Sequence, residues 1–402
     1  MRDKGQHDAL MRIMQYACLA IVVIIYAYVT YRISSRLALH PMSDMNAHAR
    51  SVAEIWLNAS NGGFERFFSE TSYPGWHALV AIFLVCGLSV AQAAGAACAL
   101  FACLTALVVW YVGRIVIGER AGWLALGVMV VLLFVTAIYA PWYSDSVYMG
   151  QGSPTVWHNP TYDAVKPFAL AASAVLFCMI RDRSASVGPY VAFALITLLC
   201  LMLKPSFFQV QAPAVFLYLL VDVCVNRDWR FVRNVALSFV PAILYMAVPL
   251  WIMLFSSSGG GEGIGLCFFQ VYGAYNSNVL ASILLLLAFP LFATIVLRKE
   301  IFSTTSPYLF LFLMLVIGFC EYSFVMENGE RMYHGNFAWG YYLAVFLYWA
   351  FVLPLFAKRA FVDGRLSRWI VVIGCLLIVA HFLSGVIYCS QFLLDASGEM
   401  LY

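Results

Sequence analysis

Residues equipped for chemistry are few in this sequence, and they cluster. The densest group is His40-Pro41-Met42-Ser43-Asp44-Met45-Asn46-Ala47-His48. Ser43 is a helix-capping residue type, and Asp44 then falls in the first helical turn. Asp44 and His48, four residues apart, share one helix face. A carboxylate there is placed to take a proton from a hydroxyl; the competing reading is a cap with an incidental histidine. Next comes Ser72-Tyr73-Pro74-Gly75-Trp76-His77, where Pro suits a first helical turn. Trp76 reads as an interfacial anchor, and Tyr73 and His77 as substrate contacts. A third group holds His158, Asn159, Tyr162 and Lys166 around a proline turn. Lys166 could equally snorkel. Lys204, in Lys204-Pro205-Ser206, lies at a short turn between apolar runs, where an ammonium wants an anionic partner. Near the far end, Arg331 and His334 could grip an anion beside Glu327, or Arg331 could form an Arg–Glu pair. Asp145 stands alone and could hold a divalent metal, Mg or Mn, or orient a substrate hydroxyl. His381 reads as a helix–helix hydrogen bonder.

The elements behind these residues follow from composition. Of 402 residues, 63% are hydrophobic and 11% charged, against roughly 25% charged in soluble domains. A soluble globule, a disordered chain, a collagenous repeat and a disulfide scaffold are excluded. The 11 cysteines form no CxxC and show no zinc spacing, and read as buried thiols. The expectation is an all-α polytopic membrane protein, one transmembrane domain over 1–402.

Candidate spans are 14–33, 91–113, 121–140, 166–180, 188–203, 212–226, 234–255, 278–297, 307–325, 337–357 and 368–391. The first is too long for a cleaved signal segment. The run 74–90 is ambiguous: counted as a span it makes twelve, and as a partial helix it leaves eleven. With eleven and a cytoplasmic N-terminus, only Arg32, Arg36, Arg50, Arg66, Lys166, Lys204 and Arg331 face outward, so sixteen of the 23 Lys and Arg residues lie inside. Twelve would turn most basic loops outward, against the positive-inside rule. Eleven spans are therefore expected, with amphipathic or re-entrant helices in the first outer loop, 34–90. The other outer loops are 141–165, 256–277 (a serine–glycine connector) and 326–336. The chemistry-bearing residues and the C-terminus then lie on the outer side.

This order resembles the GT-C class of membrane glycosyltransferases over about the first 220 residues. The likeness rests on Asp44 in a long first outer loop, amphipathic helices behind it, and Tyr73-Pro74-x-x-His77 opening a partial helix. It also rests on the inner turn Gly113-Arg114-x-x-x-Gly118 and on Lys204-Pro205 after Leu203. The chain departs from the class where Met45 follows Asp44, with no paired acid, and Asp145 is alone. The resemblance implies a polyprenyl-phosphate sugar donor, a glycan, lipid or protein acceptor, and a bacterial plasma membrane. It implies Asp44 as general base, inversion at the anomeric carbon, and no nucleic-acid partner. Rival readings are a polymerase of lipid-linked oligosaccharides, an outer-face acyltransferase using Asp44 and His48, and a transporter or flippase. A transporter would place ionisable residues along mid-membrane spans, whereas here they gather at one face. Asn58-Ala59-Ser60 matches a glycosylation sequon. No GxGxxG, Walker loop, HExxH or GxSxG context occurs.

Overall fold

Long apolar runs with so few charges have one stable backbone solution in hydrocarbon, the α-helix, because every N–H and C=O must be satisfied within the segment. The computed structural model describes residues 2–57, 74–143, 152–183, 186–255, 263–276 and 278–394. Its helices are α1 (Arg2–Leu37), α2 (Asp44–Leu57), α3 (Pro74–Val85), α4 (Val90–Ile117), α5 (Gly122–Phe134) and α6 (Pro160–Asp182). They continue as α7 (Val187–Leu203), α8 (Ser206–Asn226), α9 (Trp229–Ser238), α10 (Val240–Phe255), α11 (Gln270–Tyr275) and α12 (Val279–Val296). The last are α13 (Arg298–Ile301), α14 (Pro307–Phe324), α15 (Ala338–Ala357) and α16 (Arg368–Leu394). Among the described residues, 8 helices are long and apolar enough to cross a membrane, and α3, α5 and α7 are shorter apolar helices. The chain is a polytopic helical membrane protein.

The run 74–90 folds as a partial helix. The 12 residues of α3 extend about 18 Å, too little to cross. Its start packs at Leu203, where Gly75 lies against the Met202 carbonyl. Its end turns through Gly87 (φ +88°) into α4. The second turn of α4 packs on Tyr31 and Ser35, near the end of α1. Both ends of α3 therefore lie at one end of the bundle.

The expected span over 121–140 is corrected in its second half. The helix stops at Phe134, and residues 135–140 run without regular structure. Non-helical backbone at membrane depth survives only where protein covers it, and here α12 and α16 do so. Ile138 N–H donates to the Leu285 carbonyl at 3.0 Å, and Tyr139 N–H to Ser384 Oγ at 2.9 Å. His381, fully buried, meets the Thr136 carbonyl through Nδ1 and accepts the Phe289 N–H at Nε2, 3.4 Å away. Nδ1 therefore carries the hydrogen. Gly385 lies so close to the Phe134 carbonyl that no Cβ fits there. His381→Phe, which keeps a ring but removes the partner of the Thr136 carbonyl, is expected to cost about 1–3 kcal/mol. Thermal unfolding in detergent checks this; an unchanged Tm would remove His381 from the support of the break.

At the centre stands α15, all 20 of whose residues are buried. A helix apolar on every side belongs in the interior. Trp349 stacks on Phe289 of α12 with centroids 4.4 Å apart. Gly318 of α14 lets that helix touch the α15 backbone at Tyr341, 2.8 Å from where a Cβ would stand.

The charges sort to opposite ends. Arg12 and Arg114 line one cavity, and Arg181 and Arg183 another. At the same end Arg359 pairs with Glu300 and Asp363. Buried Asp222 of α8 accepts both ends of the Arg183 guanidinium. The loop 256–277, expected as a plain connector, holds a strand in its described part. Ile264–Leu266 (β1) pairs antiparallel with Val325–Glu327 (β2), Gly265 opposite Met326. Among the described residues these two strands are the departure from a wholly helical chain.

Candidate functional site

The site forms where the ends of α1, α2, α3, α6, α7 and α15 meet. Ser43 Oγ accepts the Met45 N–H at 3.1 Å and starts α2. Met45, Ala49 and Val52 bury that helix against the bundle, and the Asn46 amide ties it to the Ala38 carbonyl at 2.6 Å. This fixes Asp44 and His48, each half-buried, on the side facing α6. Asn159 is the N-cap of α6, with Pro160 in the first turn. Its Oδ1 accepts the Tyr162 N–H at 3.0 Å and the Thr161 hydroxyl at 2.9 Å. Those bonds fix the amide orientation, so Nδ2 is the atom that donates to Asp44 Oδ2, at 3.1 Å.

Lys204 arrives from the other side. Pro205 disfavours helix for the residue before it, and Lys204 is extended (φ −164°, ψ 113°) at the end of α7. Its Nζ donates to Thr161 Oγ1 at 3.1 Å and to Asn159 Oδ1 at 3.3 Å, and lies 4.7 Å from the Trp339 ring centroid. One asparagine thus joins a half-buried carboxylate to a buried ammonium, beside the positive N-terminal end of α6. His48 Nδ1 and His77 Nε2 are 3.0 Å apart, so one of the two rings donates and the other accepts. Trp76, fully buried, anchors that pair.

Burial first, then the neighbouring His77 and Lys204, push His48 down to about 3, against a smaller pull from Asp44. His158 is held at about 4 by burial, its ring 6.1 Å from Trp339. Both are therefore neutral at pH 7, able to donate and accept hydrogen bonds without charge. Burial lowers Lys204 to about 8, with the Asp44 and Asp163 carboxylates resisting. For a lysine lowered in the folded state, the unfolded chain holds the proton longer, so stability rises with pH between about 8 and the ordinary lysine value. The ammonium itself is present below about 8 and lost above.

Tyr162 lies one step deeper, its hydroxyl on the Pro154 carbonyl at 3.0 Å and its ring 5.4 Å from Trp339. Lys166 does not snorkel. It is buried, pairs with Asp163 at 3.1 Å, and sits over the Tyr162 and Phe346 rings.

Glu327, Arg331 and His334 lie on the strand and turn that lead into α15. Glu327 closes β2 and accepts the Asn336 amide. Arg331 and His334 are exposed on a short 3-10 turn over Gly329–His334. The structure gives no hydrogen bond between that turn and the Asp44 group among the described residues. Tyr73, Asp145, the Asn58 sequon and the serine–glycine run 256–262 lie outside the described residues. Among the described residues, no group of three or more His, Cys, Asp or Glu is placed to hold a metal ion.

Sequence reasoning missed Thr161 and Trp339. Thr161 was signalled by a hydroxyl just inside a capped helix. Trp339 was signalled only by a tryptophan opening an apolar run.

No family model matches the chain, and no curated protein matches it. Among solved structures, it is similar to ArnT from Cupriavidus metallidurans, seen in a crystal structure of the apo state. Identity is 13%, over 96% of this chain and 75% of that chain, with a TM-score of 0.46.

Proposed function

We propose that this chain is a GT-C-type membrane glycosyltransferase that moves a sugar from a polyprenyl-phosphate donor to a glycan, lipid or protein hydroxyl. The observation that carries the reading is the Asn159 bridge between Asp44 and Lys204. Transfer from a lipid phosphate needs a base for the acceptor proton and a cation for the departing phosphate, and the bridge supplies both within one cluster.

In the proposed step, the acceptor oxygen attacks the anomeric carbon as Asp44 takes its proton. The anomeric C–O bond breaks, and the electron pair leaves on the lipid phosphate. Lys204, buried beside the Trp339 ring, stabilises that phosphate. Neutral His48 and His158, with His77 beside His48, would hold sugar hydroxyls. Attack opposite the leaving group inverts the anomeric configuration. By the positive-inside rule the basic end faces the cytoplasm with the N-terminus, and the Asp44 end faces outward with the C-terminus.

Two measurements test the reading. The first is mass spectrometry of lipid co-purified with the wild-type protein and with Lys204→Met. Polyprenyl phosphate retained by the wild type and depleted in the variant is expected; equal retention removes Lys204 from donor binding. The second is the pH profile of kcat/KM, which reports the free protein. It should fall above about pH 8 as the Lys204 ammonium is lost. A profile flat through pH 9.5 would exclude the ammonium from donor capture.

A further inference from the structure

At the opposite end of the bundle, a cavity of about 570 Å³ opens between the start of α1, the end of α4 and the start of α5. The reaction at Asp44 makes no use of it. The Gly113-Arg114-x-x-x-Gly118 turn builds one wall. Gly113 lets α4 close on Ala125, where a Cβ would stand 3.4 Å away. Gly118 at φ +111° ends the helix, leaving Arg114 in its last turn. Arg114 lies 5.0 Å from the Trp110 ring centroid. Its Nε is buried and has no hydrogen-bond partner. Arg12 faces the same cavity from α1, and neither arginine has an ion pair among the described residues. Gln15 lies directly over Gly122, which leaves room for its amide. Trp123 borders the cavity, and Glu119 sits at its exposed rim.

Two unpaired guanidiniums and an amide make a phosphate-recognising set. Its position matters as much. The cavity opens where α1 passes from polar residues to the exposed apolar positions Ile13, Ile21 and Ile24, so it lies at headgroup depth with acyl chains free to run along α1. With Glu119 included, the balance of one net positive charge suits a phosphodiester carrying a single negative charge. The hydroxyls of its head could reach Glu119 and Gln15. We propose that this cavity binds the headgroup of an anionic phospholipid from the leaflet at the basic end, with Arg12 and Arg114 on the phosphate.

The test is native mass spectrometry of the detergent-solubilised full chain, titrated with phosphatidylglycerol or chain-matched phosphatidylcholine. Phosphatidylglycerol is expected to bind more tightly, and Arg114→Gln to weaken it about fivefold, what one interfacial cation contributes. Arg12→Gln, on the exposed face of α1, should do the same and covers the case in which the Arg114 variant does not fold. Equal binding of the two lipids, or wild-type binding by a folded variant, overturns the proposal. A third arm uses inorganic phosphate and glycerol phosphate. If either displaces phosphatidylglycerol at equal concentration, the site serves a soluble phosphate and the lipid assignment fails.

Discussion

Asp44→Asn is expected to lower turnover by about 10²–10⁴-fold, the contribution of a positioned general base, while donor binding stays near the wild-type level. The substitution keeps the side-chain volume, and its carbonyl can still accept the Asn159 Nδ2 hydrogen bond seen at 3.1 Å. Ser43 still caps the helix through Met45. What disappears is the capacity to hold a proton. The check is kcat in proteoliposomes alongside donor affinity. A variant that turns over like the wild type takes Asp44 out of the chemistry. One that loses binding and turnover together makes Asp44 a structural ligand of Asn159.

Lys204→Met should lower kcat/KM by about 10²–10³-fold, the cost of removing one preorganised donor from a developing anion, with stability held or raised. The second half of that expectation follows from the partners. Without the ammonium, Asn159 Oδ1 still accepts Tyr162 N–H and the Thr161 hydroxyl, so no buried acceptor is orphaned. Met is close in length and fits beside Trp339. Exchanging a buried charge for an apolar side chain of similar shape is often neutral or stabilising. A fall in activity with an unchanged Tm assigns the ammonium to function. A fall in both assigns it to the fold.

Much of the fold is legible in the sequence because the bilayer leaves few alternatives. The charge sorting that argues against a twelfth span agrees with an α3 that begins and ends at one end of the bundle. Ser43, Asp44 and the Lys204-Pro205 turn are local signals, readable from capping and proline chemistry alone.

The connections among them are not local. Asn159 looks like an ordinary cap before a proline; nothing in its neighbours says that its amide reaches Asp44, 115 residues away. Trp339 opens a run that reads as one more candidate span until α15 is known to be wholly enclosed. The break after Phe134 is hidden because Val135-Thr136-Ala137-Ile138 continues the apolar run. What satisfies its backbone is Leu285 of α12 together with His381 and Ser384, the last two on a helix nearly 250 residues later. Lys166 reads equally as a substrate contact or a snorkelling cation because Asp163, three residues earlier, looks like a loop acid rather than the first turn of the same helix.

The central claim is transfer from a lipid phosphate by the Asp44–Asn159–Lys204 cluster. Its most direct test is incubation of the purified protein in proteoliposomes with a radiolabelled polyprenyl-phosphate sugar and an acceptor extract. Both the released polyprenyl phosphate and the anomeric configuration of the product are read. The account predicts release matched by transfer, with inverted configuration, slowed about 10²–10⁴-fold in Asp44→Asn. Absence of transfer by the wild type, or a product of retained configuration, would contradict it.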